Sequence, residues 1–285
     1  MSSPNPESAN REREFVRFMS RHLVALIGTY YRLDEDGQPS GPHSFVVSGF
    51  VIEFRHAWLW ATAGHCLRDL DDLVRGQQEG RIAQLQFVLA DYFGPSPLDR
   101  HPIPFVYEDT VRHAIDDEAS GLDYGLVIVS PYYQRLLEAN DVIPVSQVNW
   151  EHQHLVNFDA FAILGFPSEL NRLERRVSGD QEQITISAEP VYMAVQQLPA
   201  SPIAARTTAL PSFVGQLPLL RRIPHVRGMS GCPIFGFRIG DDSRPTQYWI
   251  VAMQSSWIEE LRVIFGCPVP TFMGLVEAVV DQTDD

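Results

Sequence analysis

The chain has 285 residues, 45% of them hydrophobic and 20% charged, with a formal net charge of −14. That is the composition of a globular protein long enough for one large core or two smaller ones. So negative a balance excludes a general nucleic-acid binder, which needs clustered Lys and Arg against phosphate. No apolar run has the length of a membrane-spanning helix.

In chain order, residues 1 to about 11 form a polar tail, and "MSSPNPESANREREF" contains no apolar core of a secretory signal. Cys66, Cys232 and Cys267 fit neither a disulfide framework nor a zinc spacing, so a reducing, cytoplasmic setting is expected. Phe15, Phe18, Met19 and Leu23 recur at helical spacing and predict a short lead-in helix. The runs "LVALIGTYY", "SFVVSGFVIEF", "AWLWATAG", "LQFVLADYF" and "YGLVIVS" are β-branched or aromatic, separated by Gly, Pro, Asp and Asn. "PYYQRLLEAND" reads as a helical connector. A second set of strands follows in "FDAFAILGF", "QITISAEPVYM", "CPIFGFRI" and "YWIVAMQSS". Phe272, Leu275, Val276, Val279 and Val280 share one face of a closing helix.

Two groups of short strands predict an all-β architecture of two barrels. The division is 1–19 for the tail and first helix, 20–135 for one barrel, and 136–285 for the second barrel with its C-terminal helix. Pro190, Pro199, Pro202, Pro211, Pro218 and Pro224 exclude a central strand from that stretch and predict a long irregular loop that gates the cleft.

"RGMSGCPIF", residues 227–235, places Ser230 between two glycines, as a turn residue or as a presented nucleophile. A serine hydroxyl needs a base to become nucleophilic, and histidine is the usual one. All nine histidines precede Ser230, which excludes the α/β-hydrolase order of nucleophile before histidine. The order Asp, His, Ser is left to Asp34 or Asp36, both in the turn-like "LDEDGQPSG". The order His, Asp, Ser is left to His65, at the end of "WLWATAGHC", and Asp123, at the start of a strongly apolar strand.

"SGFVIE" with "ATAGHC", then "DYGLV", "GMSGCPIF" and "YWIVAMQSS", occur in an order that resembles the chymotrypsin-like (trypsin-like) serine peptidases, in an intracellular, bacterial-type form. The resemblance covers roughly residues 22 to 280. It implies two six-stranded antiparallel barrels and a serine endopeptidase without cofactor or metal. Ser230 would be the nucleophile, His65 the base and Asp123 the group that holds the imidazole, with the backbone N–H groups of Gly228 and Ser230 as oxyanion hole. Pro224, His225, Ala252, Met253, Gln254 and Ser255 would line the primary pocket. With no acid among them, cleavage after Arg or Lys is not expected, and an apolar residue is favoured over an acidic one, which His225 or an arginine could accept.

The sequence also departs from the family. Met229 stands where zymogen-activated members carry an acid, which argues against activation by N-terminal trimming. The usual bridge partner of Cys66 falls near Phe50, so no disulfide is expected, and Cys232 is read as a small buried residue. His152 and His154 lack acidic or cysteine neighbours and are read as linker residues rather than ligands. Arg221, Arg222 and Arg227 are read as exposed loop charges. The expected partner is a protein or peptide substrate, with no nucleic acid or membrane and with room for a regulatory protein. The alternative is a catalytically silent peptide-binding or scaffold protein on the same fold.

Overall fold

Short β-branched and aromatic runs become strands here because their alternate side chains can be buried between sheets. The structure is a computed structural model. It describes residues 6–91, 102–117, 119–151, 155–178, 181–199, 208–218, 225–241 and 244–281. The first part contains α1 (Pro6–Ser20), β1 (Ala25–Leu33), β2 (Pro39–Val47), β3 (Phe50–Phe54) and β4 (Ala57–Thr62). It continues through α2 (Gly64–Gln78), β5 (Ile82–Ala90), β6 (Ile103–Phe105), β7 (Arg112–Asp117), β8 (Leu122–Val129) and α3 (Pro131–Ala139). The second part contains β9 (Ala160–Gly165), β10 (Arg172–Ser178), β11 (Gln181–Ser187), β12 (Val191–Gln197) and β13 (Phe213–Gln216). It ends with β14 (Pro233–Ile239), β15 (Pro245–Ile258), β16 (Val263–Pro268) and α4 (Val269–Asp281).

The protein is mostly β. One barrel is closed, in the order β12-β13-β16-β15-β14-β9, with β9 antiparallel to both β12 and β14. The expected second closed barrel is not present among the described residues. The earlier strands form two four-stranded sheets, β2-β1-β5-β6 and β3-β4-β8-β7. The run "SFVVSGFVIEF" is split between them. The chain leaves one sheet after β2 and enters the other at β3, and a Leu23–Phe50 bridge joins the sheets at that corner.

The proline-rich stretch also corrects an expectation. β12 and β13 both belong to the closed barrel, although they lie between Pro190 and Pro224. Prolines exclude a ladder donor only where they stand. Here Pro190, Pro199, Pro211 and Pro218 fall outside the strands themselves, and residues 200–207 and 219–224 lie outside the described residues. "QITISAEPVYM" likewise breaks before Pro190 into β11 and β12, and among the described residues β11 pairs with β10 as a separate ribbon.

A hydrophobic cluster crosses between the two parts, joining Leu23, Phe50 and Leu126 to Phe166, Phe235 and Val276. Helix α1 packs on the barrel, with Phe15 edge-on to Tyr192 and Phe237 at 5.8 and 5.5 Å between ring centres. At its end His22 is fully buried, its Nδ1–H donating to the Ile143 carbonyl at 2.7 Å while Nε2 lies 3.0 Å from the Tyr248 hydroxyl. Helix α4 turns back toward the first sheets. Phe272 meets Tyr124 at 5.3 Å, and Asp281 pairs with Arg55 at 2.7 Å.

Candidate active site

His65 does not end a strand, as its apolar approach suggested. β4 stops at Thr62, and His65 lies in the first turn of α2. Helical spacing of Leu67, Leu70 and Val74, all buried, was the available signal for that helix. The first N–H groups of a helix have no acceptor within it. Asp123, on β8, supplies one. Its Oδ1 accepts the His65 backbone N–H at 2.9 Å, and its Oδ2 accepts Nδ1–H of the same residue at 2.7 Å. A carboxylate can only accept, so Nδ1 carries a proton, and in the neutral ring the lone pair is on Nε2. Burial disfavours the charged ring, but the Asp123 hydrogen bond, with Cys66 adding to it, outweighs this and pushes His65 up to about 10. By contrast Asp34 sits in an exposed turn, where its carboxylate accepts the N–H groups of Asp36 and Gln38 at 3.0 and 2.7 Å. The order Asp, His, Ser has no support there.

Ser230 stands in the loop before β14. Gly228 and Gly231 on either side have φ of +81° and +86°, a region that costs L-residues energy. Met229 is fully buried beside Val226, Cys232 and Ile163 in the barrel core. An apolar anchor therefore fixes the loop. Cys232 is buried too, which pushes its thiol up to about 12 and keeps it uncharged.

The peptide groups around Ser230 are oriented by their carbonyls. Arg227 C=O accepts Ser168 N–H at 2.8 Å, and Met229 C=O accepts Cys232 N–H at 3.0 Å. A trans peptide points its N–H opposite to its C=O, so Gly228 N–H and Ser230 N–H are turned the other way. Among the described residues neither N–H donates to the protein. Gly228 and Ser230 line a cavity of about 530 Å³ together with His65 and Cys66. No hydrogen bond joins Ser230 to His65 among the described residues. Hydrogen bonds of this kind commonly tighten only when substrate is bound.

The expected pocket residues separate into three groups. Ala252 and Met253 are buried in the hydrophobic core, and the Gln254 backbone pairs with the nucleophile loop, accepting Gly231 N–H at 2.8 Å and donating to Cys232 C=O at 2.9 Å. Ser255 lines a smaller cavity of about 130 Å³ with His65, Asp123 and Asp116. His225 lies against Glu259 and the ring of Trp257. Glu259 was not anticipated, because it follows β15 and reaches His225 only through the fold. Pro224 lies outside the described residues, as do His152, His154, Arg221 and Arg222; Arg227 is exposed. All three cysteines are free, and among the described residues no cluster of His, Cys, Asp and Glu could hold a metal ion. No described helix is long and apolar enough to cross a membrane.

No protein-family model and no curated protein matches the chain. Similar solved structures include the protease Anisep from Arthrobacter nicotinovorans, 15% identical over 87% of this chain and 90% of that one, with a TM-score of 0.41. A catalytically inactive tobacco etch virus protease complexed with substrate is 12% identical over 90% and 83%, at 0.39. HBP, known from an atomic-resolution structure, is 14% identical over 92% of each chain, at 0.46. These likenesses assign no residue and no activity to this chain.

Proposed function

We propose that the protein is a serine endopeptidase working through an acyl-enzyme. The observation that carries the reading is the doubly bonded His65–Asp123 pair, which fixes the proton of the neutral ring on Nδ1, in a protein whose Ser230 and Gly228 line the same cavity as His65. In this reading Ser230 Oγ attacks the scissile carbonyl as Nε2 takes its proton. The carbonyl oxygen, now negative, is received by Gly228 N–H and Ser230 N–H. His65 then returns the proton to the leaving amine, and water repeats the sequence to release the acid. Asp123 stays ionised and holds the tautomer.

The substrate is a polypeptide, and the pocket reading changes in one respect. The apolar lining assigned to Ala252 and Met253 has no support, because both are core residues. His225 paired with Glu259 offers polar and charged groups instead. The first test is labelling by a fluorophosphonate probe, followed by mapping of the modified residue. Wild type is expected to be labelled at Ser230 and Ser230→Ala to stay unlabelled. A wild-type protein inert to the probe and to peptide libraries would instead favour the silent binding protein.

A further inference from the structure

The two candidate oxyanion donors belong to the peptide groups 227–228 and 229–230. Their directions relative to each other depend on the peptide between them, 228–229, because rotation there swings one donor against the other. Gly228 at φ +81° offers little steric resistance to such a rotation. The hydrogen bond of that middle peptide's own N–H, from Met229 to Val226 C=O, is long at 3.3 Å.

Its carbonyl is held from elsewhere in the chain. Ser48 Oγ donates to Gly228 C=O at 2.6 Å. Ser48 lies between β2 and β3, where the chain changes sheets, and is 1% exposed. The same Oγ accepts Phe166 N–H at 3.2 Å, and the Ser48 carbonyl accepts Thr62 Oγ1–H at 2.7 Å. A hydroxyl has one proton to give. With a lone pair occupied by Phe166 N–H, the Ser48 proton is aimed at the Gly228 carbonyl.

We propose that Ser48 is a positioning residue, holding the Gly228–Met229 peptide so that the N–H groups of Gly228 and Ser230 converge on one oxyanion. The proposal rests on the acyl-transfer reading above. Ser48 touches no reacting atom, and its effect passes through the Gly228 carbonyl.

The test is steady-state hydrolysis of p-nitrophenyl acetate, with fluorophosphonate labelling rates, for wild type, Ser48→Ala, Ser48→Thr and Ser230→Ala. Loss of a whole oxyanion donor lowers turnover by about 10²- to 10³-fold, so misalignment is expected to cost Ser48→Ala about 10- to 100-fold in kcat. KM should stay within about twofold, because the ground-state carbonyl needs the hole less than the oxyanion does. Ser48→Thr keeps the hydroxyl and should recover kcat to within about threefold of wild type. Ser20→Ala, which removes another buried hydroxyl, one bonded to Val16 C=O at 2.8 Å, should leave kcat unchanged. Should Ser48→Ala fail to fold, Ser48→Cys carries the same expectation, since a thiol is a weak donor. Wild type labelled at Ser230 but Ser48→Ala within twofold of it in kcat, or changed only in KM, overturns the positioning role and leaves the hydrolase reading standing. A wild type with no Ser230-dependent labelling overturns both.

Discussion

The two parts of the molecule hold their site residues by different means. The nucleophile loop grows out of a closed barrel, with Met229 packed into the core and its backbone pinned by Ser168, Cys232 and Gln254. Asp123 stands on an open sheet and His65 in the first turn of α2, and two bonds from the Asp123 carboxylate hold them together. Removing the Asp123 side chain should therefore free the orientation of the imidazole, whereas the serine loop should keep its path and rely on the Ser48 side chain for the tilt of one peptide. Closure gives rigidity through backbone. The open region depends on side-chain chemistry.

The largest expected effect is that of Ser230→Ala, about 10⁴- to 10⁶-fold in kcat with an unchanged melting temperature. Substantial residual peptide hydrolysis in a folded variant would remove the nucleophile from the barrel side of the comparison.

Asp123→Asn should come next, at about 10⁴-fold, because an amide can present a donor to Nδ1 and so favour the wrong tautomer. The pH dependence sharpens this. The base must be neutral, so wild-type activity should rise through pH 7 toward pH 10. In Asp123→Asn the residual activity should level off at a lower pH. Stability runs in the opposite sense. The folded His65 value lies above the unfolded 6.5, so its contribution is complete below pH 6.5 and is lost as pH rises through about 10. Melting curves of wild type and variant that keep a constant separation from pH 6 to pH 10 would contradict it.

Gly231→Ala should cost less, about 10²-fold in turnover. A Cβ there meets Thr62 Oγ1 and the Ser48 carbonyl on the facing sheet, besides being strained at φ +86°. It should push the serine loop away from His65 without emptying either core, measured as lost kcat with a modest drop in melting temperature. An unimpaired variant would show that the seam is looser than drawn.

The last effect, on stability and not on turnover, concerns His22. Burial, partly offset by the Ile143 carbonyl and reinforced by Arg21, lowers its value to about 4. A folded value below the unfolded 6.5 means that stability is complete above pH 6.5 and falls as pH drops through about 4, by about 3 kcal/mol. Replacement with Gln should flatten that part of the denaturation profile; an unchanged slope would assign the acid loss elsewhere.

The β-rich fold and the His65–Asp123 pair were legible because their signals are local. "GHC", "DYG" and "GMSG" each sit at the edge of an apolar run, and their order in the chain carries the resemblance. Long-range features were not legible. Whether a set of strands closes into a barrel depends on pairings such as β9 with β12, far apart in sequence. Glu259 meets His225 only through the fold. β10 is rich in arginine and β13 is short and bounded by prolines, so neither has the apolar alternation of a strand. α2 is different. Its buried Leu67, Leu70 and Val74 were visible at helical spacing, but the strand running into it drew the reading past Thr62.

The crossed helices impose an order on biosynthesis. Helix α1 docks on Tyr192, Phe237 and Tyr248, and α4 on Tyr124 and Arg55, so each helix is completed by a surface from the other part of the chain. On a ribosome, α1 emerges long before its docking face exists, and the open sheets must wait for α4. Until the strands of the barrel have been translated, the loop of Ser230 has no closed barrel to stand on. On the peptidase reading proposed above, a nascent chain would be unable to cut its neighbours before its barrel had formed.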